Sequence, residues 1–569
     1  MKKLPFWARI VIILAVLAVI SVCWEVVSSR NTRLVAFKRS LVHGLLGISN
    51  EDVRAETLGL ASGYTVKELE GMRLYEHDSG VRLVNYIDGY QIDLPGRAEA
   101  DTSMSGLYTT VTGSGYSVTI SRETATYAGM KDVITSELAT FAPFLFRSEG
   151  VKNHVEWYEY RFLLNEDWQR NNRVSVSRSQ GKNGELLISA YLSDSASVQY
   201  PCWLHAVRYT DGREYIRMCF RFENRELESA LSAAAQSVRV FDPVGERKVA
   251  RSFGSGQYTG NDSAAAKLYE SVKASDSLIW GVYATDIYET GISETVPALE
   301  KKLDYSFGAV LCYIHLDMPF PTEFMEKVYE SGKIVELTLQ TTYNNNTDLT
   351  APSPLLDIYT GRADDVVRSI ARDAAAWGKP FLFRLNNEMN SDWTSYSGVV
   401  NMCDPEVYAG AWRRVFEIFR EEGADNCLWI WNPHDRSAPP ARWNDGLAFW
   451  PGEEYVHLLG VTGYNNGTYY TQNAEKWRSF SEIYDGIQAE YSPYFSGYPW
   501  IITEFASSGI GGDKAAWIDE MFARMGDYKN IKIAVWFSSA DYDGETPART
   551  YWLDETAETV EAFRRGLHK

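Results

Sequence analysis

The sequence predicts an α/β protein with a (β/α)8 TIM barrel, preceded by a β-rich α+β accessory region and an N-terminal transmembrane anchor. Eight short apolar runs alternate with helical patterns near the C-terminus, and they cover about 300 residues, a length typical of such a barrel. Before them lie β-rich runs separated by turns, and the chain opens with basic residues followed by an apolar run. A chain of 569 residues is too long for one ordinary domain.

Residues 1–29 are expected to form a signal-anchor outside the fold. Lys2, Lys3 and Arg9 precede an apolar run at residues 10–22. No small-residue cleavage site follows it, which favours an uncleaved, single-pass anchor in the cell membrane with the barrel domain outside. The run is short for a spanning helix, which needs about 20 apolar residues, so secretion after cleavage stays the alternative. Residues 30–60 are expected to form a stalk.

Residues 61–245 predict a β-rich accessory region of one or two units, because short β-forming runs alternate with turns there. A carbohydrate-binding module and a spacer packed on the catalytic domain both remain open for it. Cys202 and Cys219 flank the turn at residues 211–212, so a hairpin would bring them near each other and a disulfide is possible. Cys312 and Cys427 fall within predicted barrel strands and are expected to be core thiols.

Residues 246–268 are rich in glycine and serine and are predicted to be a linker. Residues 269–569 are predicted to form the barrel domain. Helical patterns such as residues 365–377 and 405–421 separate most of its strands. The eight predicted strands are residues 278–284, 309–315, 333–340, 380–386, 427–431, 458–464, 500–504 and 531–538.

Two of these strands end in a glutamate. Glu388 follows the fourth strand, and Glu504 ends the seventh. Strands 4 and 7 of an eight-stranded barrel face each other across its mouth, where this fold keeps its catalytic residues. Retaining glycosidases use two carboxyl groups roughly 5 Å apart, one as acid/base and one as nucleophile. Glu388 is therefore the predicted acid/base and Glu504 the predicted nucleophile.

The barrel, over about residues 270–560, resembles glycoside hydrolase family 26 of clan A, which is typified by endo-β-1,4-mannanases. Arg384-Leu-Asn-Asn-Glu388 is similar to the family's strand-4 motif, and Ile502-Thr-Glu504-Phe to its strand-7 nucleophile motif. Asn387 departs from the family, which usually has histidine before the acid/base. Asparagine there is the commoner residue across clan A, where it binds the sugar's 2-hydroxyl, so the inference of mannose is weakened.

The resemblance also implies substrate-binding roles for several other side chains. Trp393 matches an aromatic residue near the bound sugar, and Tyr464 matches a strand-6 tyrosine that contacts the nucleophile. Trp536 resembles a strand-8 tryptophan that forms the floor of the −1 subsite. His315 stands at the place of a substrate-binding histidine.

The residues themselves leave alternatives open for these side chains. A strand-end tyrosine such as Tyr464 either orients Glu504 or belongs to the core, and Trp536 either stacks on a sugar or packs in the core. Arg384 either points into the barrel mouth and lowers the pKa of a neighbouring carboxylate or forms a structural ion pair. Residues 432–435 and 541–543 are candidate subsite residues, whereas His434 is expected to be structural.

The predicted function is that of a retaining endo-β-glycosidase hydrolysing a β-linked polysaccharide, β-mannan or a related β-1,4/β-1,3-glycan, at the cell surface. A non-catalytic polysaccharide-binding or assembly protein is the alternative. The net charge of −19 argues against nucleic acid as a partner. No metal-binding cluster or phosphate loop is present in the sequence, so no cofactor is predicted.

Overall fold

A computed structural model describes residues 65–125, 147–193, 197–210, 213–343, 348–471 and 475–569. The predicted anchor and the predicted stalk lie outside these residues. No helix in the described part of the chain is long and apolar enough to cross a membrane. The chain divides into two compact units, one containing residues 65–97 and 239–246, the other containing residues 98–238 and 247–569.

The strands before the barrel form two antiparallel sheets. They are β1 (Thr65–Leu69), β2 (Met72–His77), β3 (Gly80–Asn85), β4 (Tyr90–Pro95), β5 (Ala98–Asp101), β6 (Thr109–Gly113), β7 (Tyr116–Thr124), β8 (Val174–Gln180), β9 (Leu186–Leu192), β10 (Cys202–Tyr209), β11 (Glu214–Phe222) and β12 (Arg239–Val240). Among the described strands, the first unit holds a sheet in the order β1-β2-β3-β4-β12. The second unit holds a seven-stranded sheet in the order β5-β6-β7-β11-β10-β9-β8. The predicted β-rich region is thus confirmed.

Eight parallel strands of the second unit close into a barrel. They are β13 (Ile279–Ala284), β14 (Ala309–His315), β15 (Ile334–Gln340), β16 (Phe381–Leu385), β17 (Cys427–Trp431), β18 (Leu458–Thr462), β19 (Trp500–Phe505) and β20 (Ile531–Ser538). Each lies within two residues of its predicted bounds, and β13 pairs with β20 to complete the ring. The predicted barrel is confirmed.

Helices lie in the β-rich region before the barrel as well as between and around the barrel strands. They are α1 (Arg147–Asn153), α2 (Glu166–Asn172), α3 (Glu228–Gln236), α4 (Ser263–Ala274), α5 (Val296–Leu303), α6 (Thr322–Glu330), α7 (Pro354–Tyr359), α8 (Asp364–Trp377), α9 (Pro405–Glu421), α10 (Phe480–Phe495), α11 (Lys514–Arg524) and α12 (Ala557–Leu567). Asp404 caps the N-terminus of α9 by accepting a hydrogen bond from the backbone amide of Glu406, and Pro405 occupies its first turn.

Strand alternation divides the barrel side chains into an inner and an outer set. Leu382, Ile430 and Val535 belong to the inner cluster, whereas Phe383, Trp429 and Trp536 pack outward against the helices. Residues of α4 join the inner cluster. This helix begins within the predicted linker, residues 246–268, and Phe253 of the same linker is buried against aromatic residues of the barrel unit. The segment therefore packs on the barrel.

The possible disulfide between Cys202 and Cys219 does not form, because both are free, buried thiols. The hairpin of β10 and β11 is present, but its register sets Cys202 opposite Phe222 and Cys219 opposite His205. A disulfide needs Cα atoms that are close together, and this register places the two cysteines at different rungs of the ladder. Cys312 and Cys427 are buried in barrel strands, as predicted.

Candidate active site

Glu388 lies at the mouth of the barrel and has a backbone conformation that few glutamates adopt. Asn386 and Glu388 have φ angles of 60° and 57°, in the left-handed region. The Asn386 side chain accepts a hydrogen bond from the backbone amide of Thr341 (2.7 Å), and the amide of Glu388 donates to the carbonyl of Asn432 (2.9 Å). These contacts to the neighbouring strand ends hold the turn that brings the Glu388 carboxyl, only 4% exposed, into the mouth.

Glu504 reaches the same mouth through an irregularity in β19. Simple alternation would point Glu504 outward, because Thr503 faces inward and bonds to Asn432. The pairing of β19 with β20 shifts register between Ile502 and Phe505, and such a bulge redirects a side chain. Glu504 therefore joins Thr503 on the inner side and is 5% exposed, while Phe505 packs outward.

Three side chains donate to the Glu504 carboxylate. Arg384 Nη1 donates to Oε1 at 2.8 Å, and the hydroxyls of Tyr313 and Tyr464 donate to Oε2 at 2.7 Å and 3.0 Å. Burial next to Glu504 raises the pKa of both tyrosines well above the ordinary value, so both remain hydrogen-bond donors. The arrangement fixes both oxygens of Glu504 and leaves it facing a buried positive charge.

Arg384 is fully buried inside the barrel and is held by its own set of acceptors. It donates from Nε to Thr338 Oγ1 (2.7 Å) and from Nη1 to Asn432 Oδ1 (2.8 Å). Glu336 precedes Thr338 by two residues on β15, and its Oε1 lies 3.5 Å from Arg384 Nε. Burial alone would lower the pKa of Arg384, but Glu504, Tyr313 and Glu336 together raise it above the ordinary value. Arg384 is thus a permanent cation between two carboxyl groups.

Glu388 differs from Glu504 in its electrostatic surroundings. Burial raises the pKa of Glu388 to about 7, with His434 opposing that rise and the charge of Glu504 adding to it. His434 Nε2 lies 3.8 Å from Glu388 Oε1 and 3.4 Å from Asp435 Oδ1. Burial favours neutral Asp435, but His434, Arg478 and Arg436 outweigh it and lower the pKa of Asp435.

His434 and Tyr313 are site residues that the sequence analysis did not identify. His434 was expected to be structural, yet it stands beside Glu388. His434 follows the end of β17, within the candidate subsite segment 432–435. Its position at the end of a barrel strand was the feature of the sequence that could have indicated a role in the site. Tyr313 shares the inward face of β14 with His315. Because side chains alternate between the two faces of a strand, counting back two residues from His315 would have indicated Tyr313 as a second inward residue.

The remaining predicted residues occupy different parts of the mouth. Asn387 is buried, and its Oδ1 accepts from Tyr396 Oη (2.6 Å) and Gln340 Nε2 (3.1 Å). Trp393 is 53% exposed. His315 is partly buried, contacts Thr342 Oγ1 through Nδ1 at 2.9 Å, and has a pKa lowered by burial.

Trp536 does not line the mouth, contrary to the prediction. It is fully buried on the outer side of β20, where its ring packs against Phe505, Trp517 and Phe563. The next residue, Phe537, is the inward one. Its ring stacks on Tyr283 at 4.6 Å and meets the Tyr464 ring edge-on at 6.0 Å. The prediction took Trp536 as the residue that faces the mouth, whereas the alternation of side chains along β20 gives that place to Phe537.

Within the described residues, no group of three or more His, Cys, Asp or Glu side chains could hold a metal ion. The mouth instead combines a buried carboxyl group of raised pKa with a carboxylate bound by an arginine and two tyrosines. Such a pair can supply an acid and a nucleophile to one bond.

Comparison with known proteins shows that part of this barrel matches a family model. Residues 269–491 match the model of glycosyl hydrolase family 26. The matched range includes Glu388 and ends before β19, so Glu504 lies outside it. Endoglucanase H of Acetivibrio thermocellus is 30% identical over 272 residues, which are 46% of this chain and 28% of that protein. The match therefore covers less than a third of this curated relative.

Several solved structures are similar to the chain at low identity. The mannanase man26 of Bacillus subtilis is 13% identical with a TM-score of 0.36, covering 51% of this chain and 89% of that one. The β-mannanase BoMan26A of Bacteroides ovatus is 15% identical with a TM-score of 0.41, covering 53% and 92%. A Cellulomonas fimi endo-β-1,4-mannanase double mutant is 13% identical with a TM-score of 0.41, covering 56% and 76%. Similarity at this level does not bear on activity.

Proposed function

We propose, from the premise that residues 269–491 match the model of glycosyl hydrolase family 26, that the protein is a retaining endo-β-glycosidase in which Glu504 is the nucleophile and Glu388 the acid/base. The observation that carries this proposal is the contrast between two carboxyl groups in one mouth. Burial raises the pKa of Glu388 to about 7, whereas Glu504 is bound by Arg384 and two tyrosines. One is suited to donating a proton and the other to attacking carbon.

In the first step, the Glu504 carboxylate attacks the anomeric carbon while the glycosidic bond to the leaving oxygen breaks. Glu388 transfers its proton to that oxygen, so the leaving group departs as a neutral alcohol. The product on the enzyme is a glycosyl ester of Glu504. Arg384 and Tyr313 hold the carboxylate in place before attack, which lowers the entropy lost in reaching the transition state.

In the second step, Glu388 acts as a base. The charge of Glu504 contributes to the raised pKa of Glu388 in the free enzyme, and ester formation removes that charge. The pKa of Glu388 then falls, so its carboxylate accepts a proton from a water molecule that attacks the anomeric carbon. The bond to Glu504 breaks, the carboxylate is restored, and two displacements give net retention.

The proposed substrate is a β-linked polysaccharide, β-mannan or a related β-1,4- or β-1,3-glycan. Trp393 lies five residues after Glu388 in the loop that follows β16 and offers an exposed ring, and an aromatic ring is a suitable platform for the apolar face of a sugar. Asn387 is held by Tyr396 and Gln340 in a fixed orientation, a geometry suited to a sugar hydroxyl. The name of the similar curated protein, endoglucanase H, supports a β-linked glycan.

Hydrolysis of a panel of mannan, glucomannan, lichenan and xylan tests this proposal. Glu388→Gln and Glu504→Gln should each lower kcat by at least 10³-fold on the polysaccharide that the wild type cleaves, because each removes an essential group. Glu323→Gln, on the exposed face of α6, is the matched control and should keep full activity. Full activity of either active-site variant would overturn the assignment. Binding to a polysaccharide without product release by the wild type would instead support a non-catalytic binding protein.

We also propose, from the sequence alone, that the apolar run at residues 10–22 anchors the enzyme in the cell membrane with the barrel outside. Cell fractionation of the full chain and of a chain beginning near residue 50 tests this. The full chain should sediment with membranes and be accessible to external protease, and the shortened chain should not sediment. Protein found free in the medium and lacking the N-terminal apolar run would favour secretion after cleavage.

A further inference from the structure

The segment that carries Glu388 is long and conformationally demanding. Residues 386–404 connect β16 to α9 without a regular element of their own. Met402 and Cys403, at the far end, have φ angles of 59° and 50°, in the same left-handed region as Asn386 and Glu388. Non-glycine residues in this region are held there by surrounding contacts at a free-energy cost. The seven-stranded sheet, in the same compact unit as the barrel, contacts the far end of this segment.

The first group of contacts holds the end of the segment. Arg217 of β11 is buried, donates from Nη2 to the carbonyl of Cys403, and lies over the ring of Trp443 at 4.4 Å. Trp203 of β10 donates from Nε1 to Asp404 Oδ2 at 2.9 Å. These are polar groups buried from water, so each lost partner leaves an unsatisfied donor or acceptor.

The second group holds the turn after β17. Glu123 of β7 is buried, and its carboxyl accepts from the backbone amides of Arg442 (2.8 Å) and Trp443 (3.1 Å). The Arg442 guanidinium in turn donates to three backbone carbonyls of the sheet region. They belong to Ser105 (3.1 Å), Gly106 (3.2 Å) and Arg122 (2.9 Å). The sheet region thus accepts hydrogen bonds from both the backbone and a side chain of this turn.

This turn is connected to Glu388 by a short series of hydrogen bonds. Asn444, next to Trp443, donates from Nδ2 to the carbonyl of Asn390 (2.8 Å). Asn390 Oδ1 accepts from the backbone amide of His434 (2.8 Å), the residue beside the Glu388 carboxyl. The amide of Ser391 donates to the carbonyl of Glu388 itself (3.0 Å). The sheet therefore reaches both Glu388 and the histidine that faces it.

We propose that the seven-stranded sheet acts as a positioning element of the reaction, with Arg217 and Arg442 as the positioning residues that hold Glu388 and His434. This inference rests on the proposed function. It assigns to residues 98–238 a role that neither a carbohydrate-binding module nor a passive spacer would have. Because a misplacement of about 1 Å can cost about 100-fold in rate, small losses of contact at the sheet should appear as losses of acid catalysis.

The experiment compares two substrates that differ in their need for an acid. The first is the polysaccharide that the wild type cleaves, whose alcohol leaving group must be protonated. The second is a 2,4-dinitrophenyl β-glycoside of the same sugar, whose leaving group departs without protonation. Arg442→Met and Arg217→Met should lower kcat/KM on the polysaccharide by about 10- to 100-fold and kcat/KM on the dinitrophenyl glycoside by less than about threefold, because kcat/KM reports the first step, in which only the polysaccharide needs an acid. KM for the polysaccharide should change little.

Three further variants separate positioning from general stability. Arg178→Met removes an exposed arginine of β8 that pairs with Glu156, and it should match the wild type on both substrates. Arg442→Lys restores a cation and should recover part of the rate on the polysaccharide. Trp203→Phe keeps an aromatic ring but removes the donor to Asp404 together with part of the buried indole, so it tests the inference if a methionine variant does not fold. It should lower the rate on the polysaccharide selectively, by about three- to tenfold.

Equal losses on both substrates in the folded variants, or no loss on either, would overturn the inference while leaving the proposed function intact. Folding is followed by the unfolding midpoint and by near-ultraviolet circular dichroism. If the wild type hydrolyses neither substrate, the proposed function fails, and this inference fails with it.

Discussion

At the scale of single residues, the central feature is the difference in surroundings between two carboxyl groups in one mouth. Glu388 must carry its proton in the free enzyme to act as an acid, and burial raises its pKa to about 7. We therefore expect kcat/KM on the polysaccharide to fall as the pH rises through about 7, tenfold per pH unit above it. The measurement is a pH profile of initial rates at substrate concentrations far below KM.

The control for this pH profile is Glu388→Ala on a dinitrophenyl glycoside. This substrate needs no acid in the first step, so the decrease near pH 7 should be absent from its kcat/KM profile. A decrease near pH 7 that persists in Glu388→Ala would assign the titration to another group.

Glu336 gives a second prediction, which concerns stability. Its carboxyl is buried in the barrel beside Arg384, and burial raises its pKa to about 8. A carboxyl whose pKa is raised by folding binds its proton more tightly in the folded chain, so stability is lost as the pH rises from about 4.5 to about 8. Relative to Glu336→Gln, the wild type should lose roughly 3–5 kcal/mol of unfolding free energy between pH 5 and pH 9.

Urea unfolding of the wild type and Glu336→Gln at pH 5, 7 and 9 checks this prediction. Glu323→Gln, at an exposed site, should follow the wild type at every pH. Stability curves of the wild type and Glu336→Gln that run parallel across this range would contradict the raised pKa.

The sequence located some site residues and missed others for identifiable reasons. Glu388 and Glu504 were predicted because both follow apolar strands of a countable barrel. His434 was missed because its partner, Glu388, is distant in sequence. Trp536 was assigned to the mouth because its motif resembled a family pattern, yet strand alternation places Phe537 inward. Resemblance of a short motif does not fix which of two neighbouring side chains faces the site.

At the scale of elements, close packing between strands shapes the mouth. Gly460 of β18 faces inward, and a Cβ atom there would lie 2.6 Å from Ile430 Cγ2 and 2.9 Å from both Asn432 Cβ and Thr503 Cγ2. Gly460→Ala should therefore destabilise the fold by about 1–3 kcal/mol, because the inner strands must separate. It should also lower kcat, since Asn432 and Thr503 support Arg384 and β19.

Gly486 provides the matched substitution. It lies in α10, and a Cβ atom there would meet nothing within 4 Å. Gly486→Ala should be neutral or stabilise the fold by up to about 1 kcal/mol, because alanine favours a helix. Urea unfolding measures both changes. Equal stability of the two variants would contradict the described packing of β18 against β17 and β19.

The strand bounds were predictable at this scale, whereas the bulge in β19 was not. Apolar runs and their spacing define strands within two residues because they depend on local sequence. The shift of register at residues 502–505 depends on how β19 pairs with its neighbours, and no local signal in the sequence marks it.

At the scale of the whole molecule, the seven-stranded sheet and the barrel share one apolar core. Trp168, Ile188 and Trp203 of the sheet region pack in one buried cluster with Val399 and Trp443 of the barrel loops. A chain of residues 247–569 alone would expose this apolar face to water. We expect that fragment to be poorly soluble, to bind a hydrophobic dye, and to lack polysaccharide hydrolysis.

Expression of residues 98–569 is the control for this fragment, because it keeps the second compact unit complete. It should be soluble and active. A soluble fragment 247–569 with the activity of residues 98–569 would contradict the shared core. The sequence left a carbohydrate-binding module and a packed spacer open for this region, because the contacts that decide between them join residues about 200 positions apart, such as Trp203 and Asp404.

The measurement that tests the account most directly is the configuration of the first sugar released. Proton NMR in the first minutes of hydrolysis distinguishes the anomers before they interconvert in water. If Glu504 attacks carbon and Glu388 then activates water, the first product has the β configuration of the bond that was cleaved. A first product of α configuration would show a single displacement by water and would contradict the assignment of Glu504 as nucleophile.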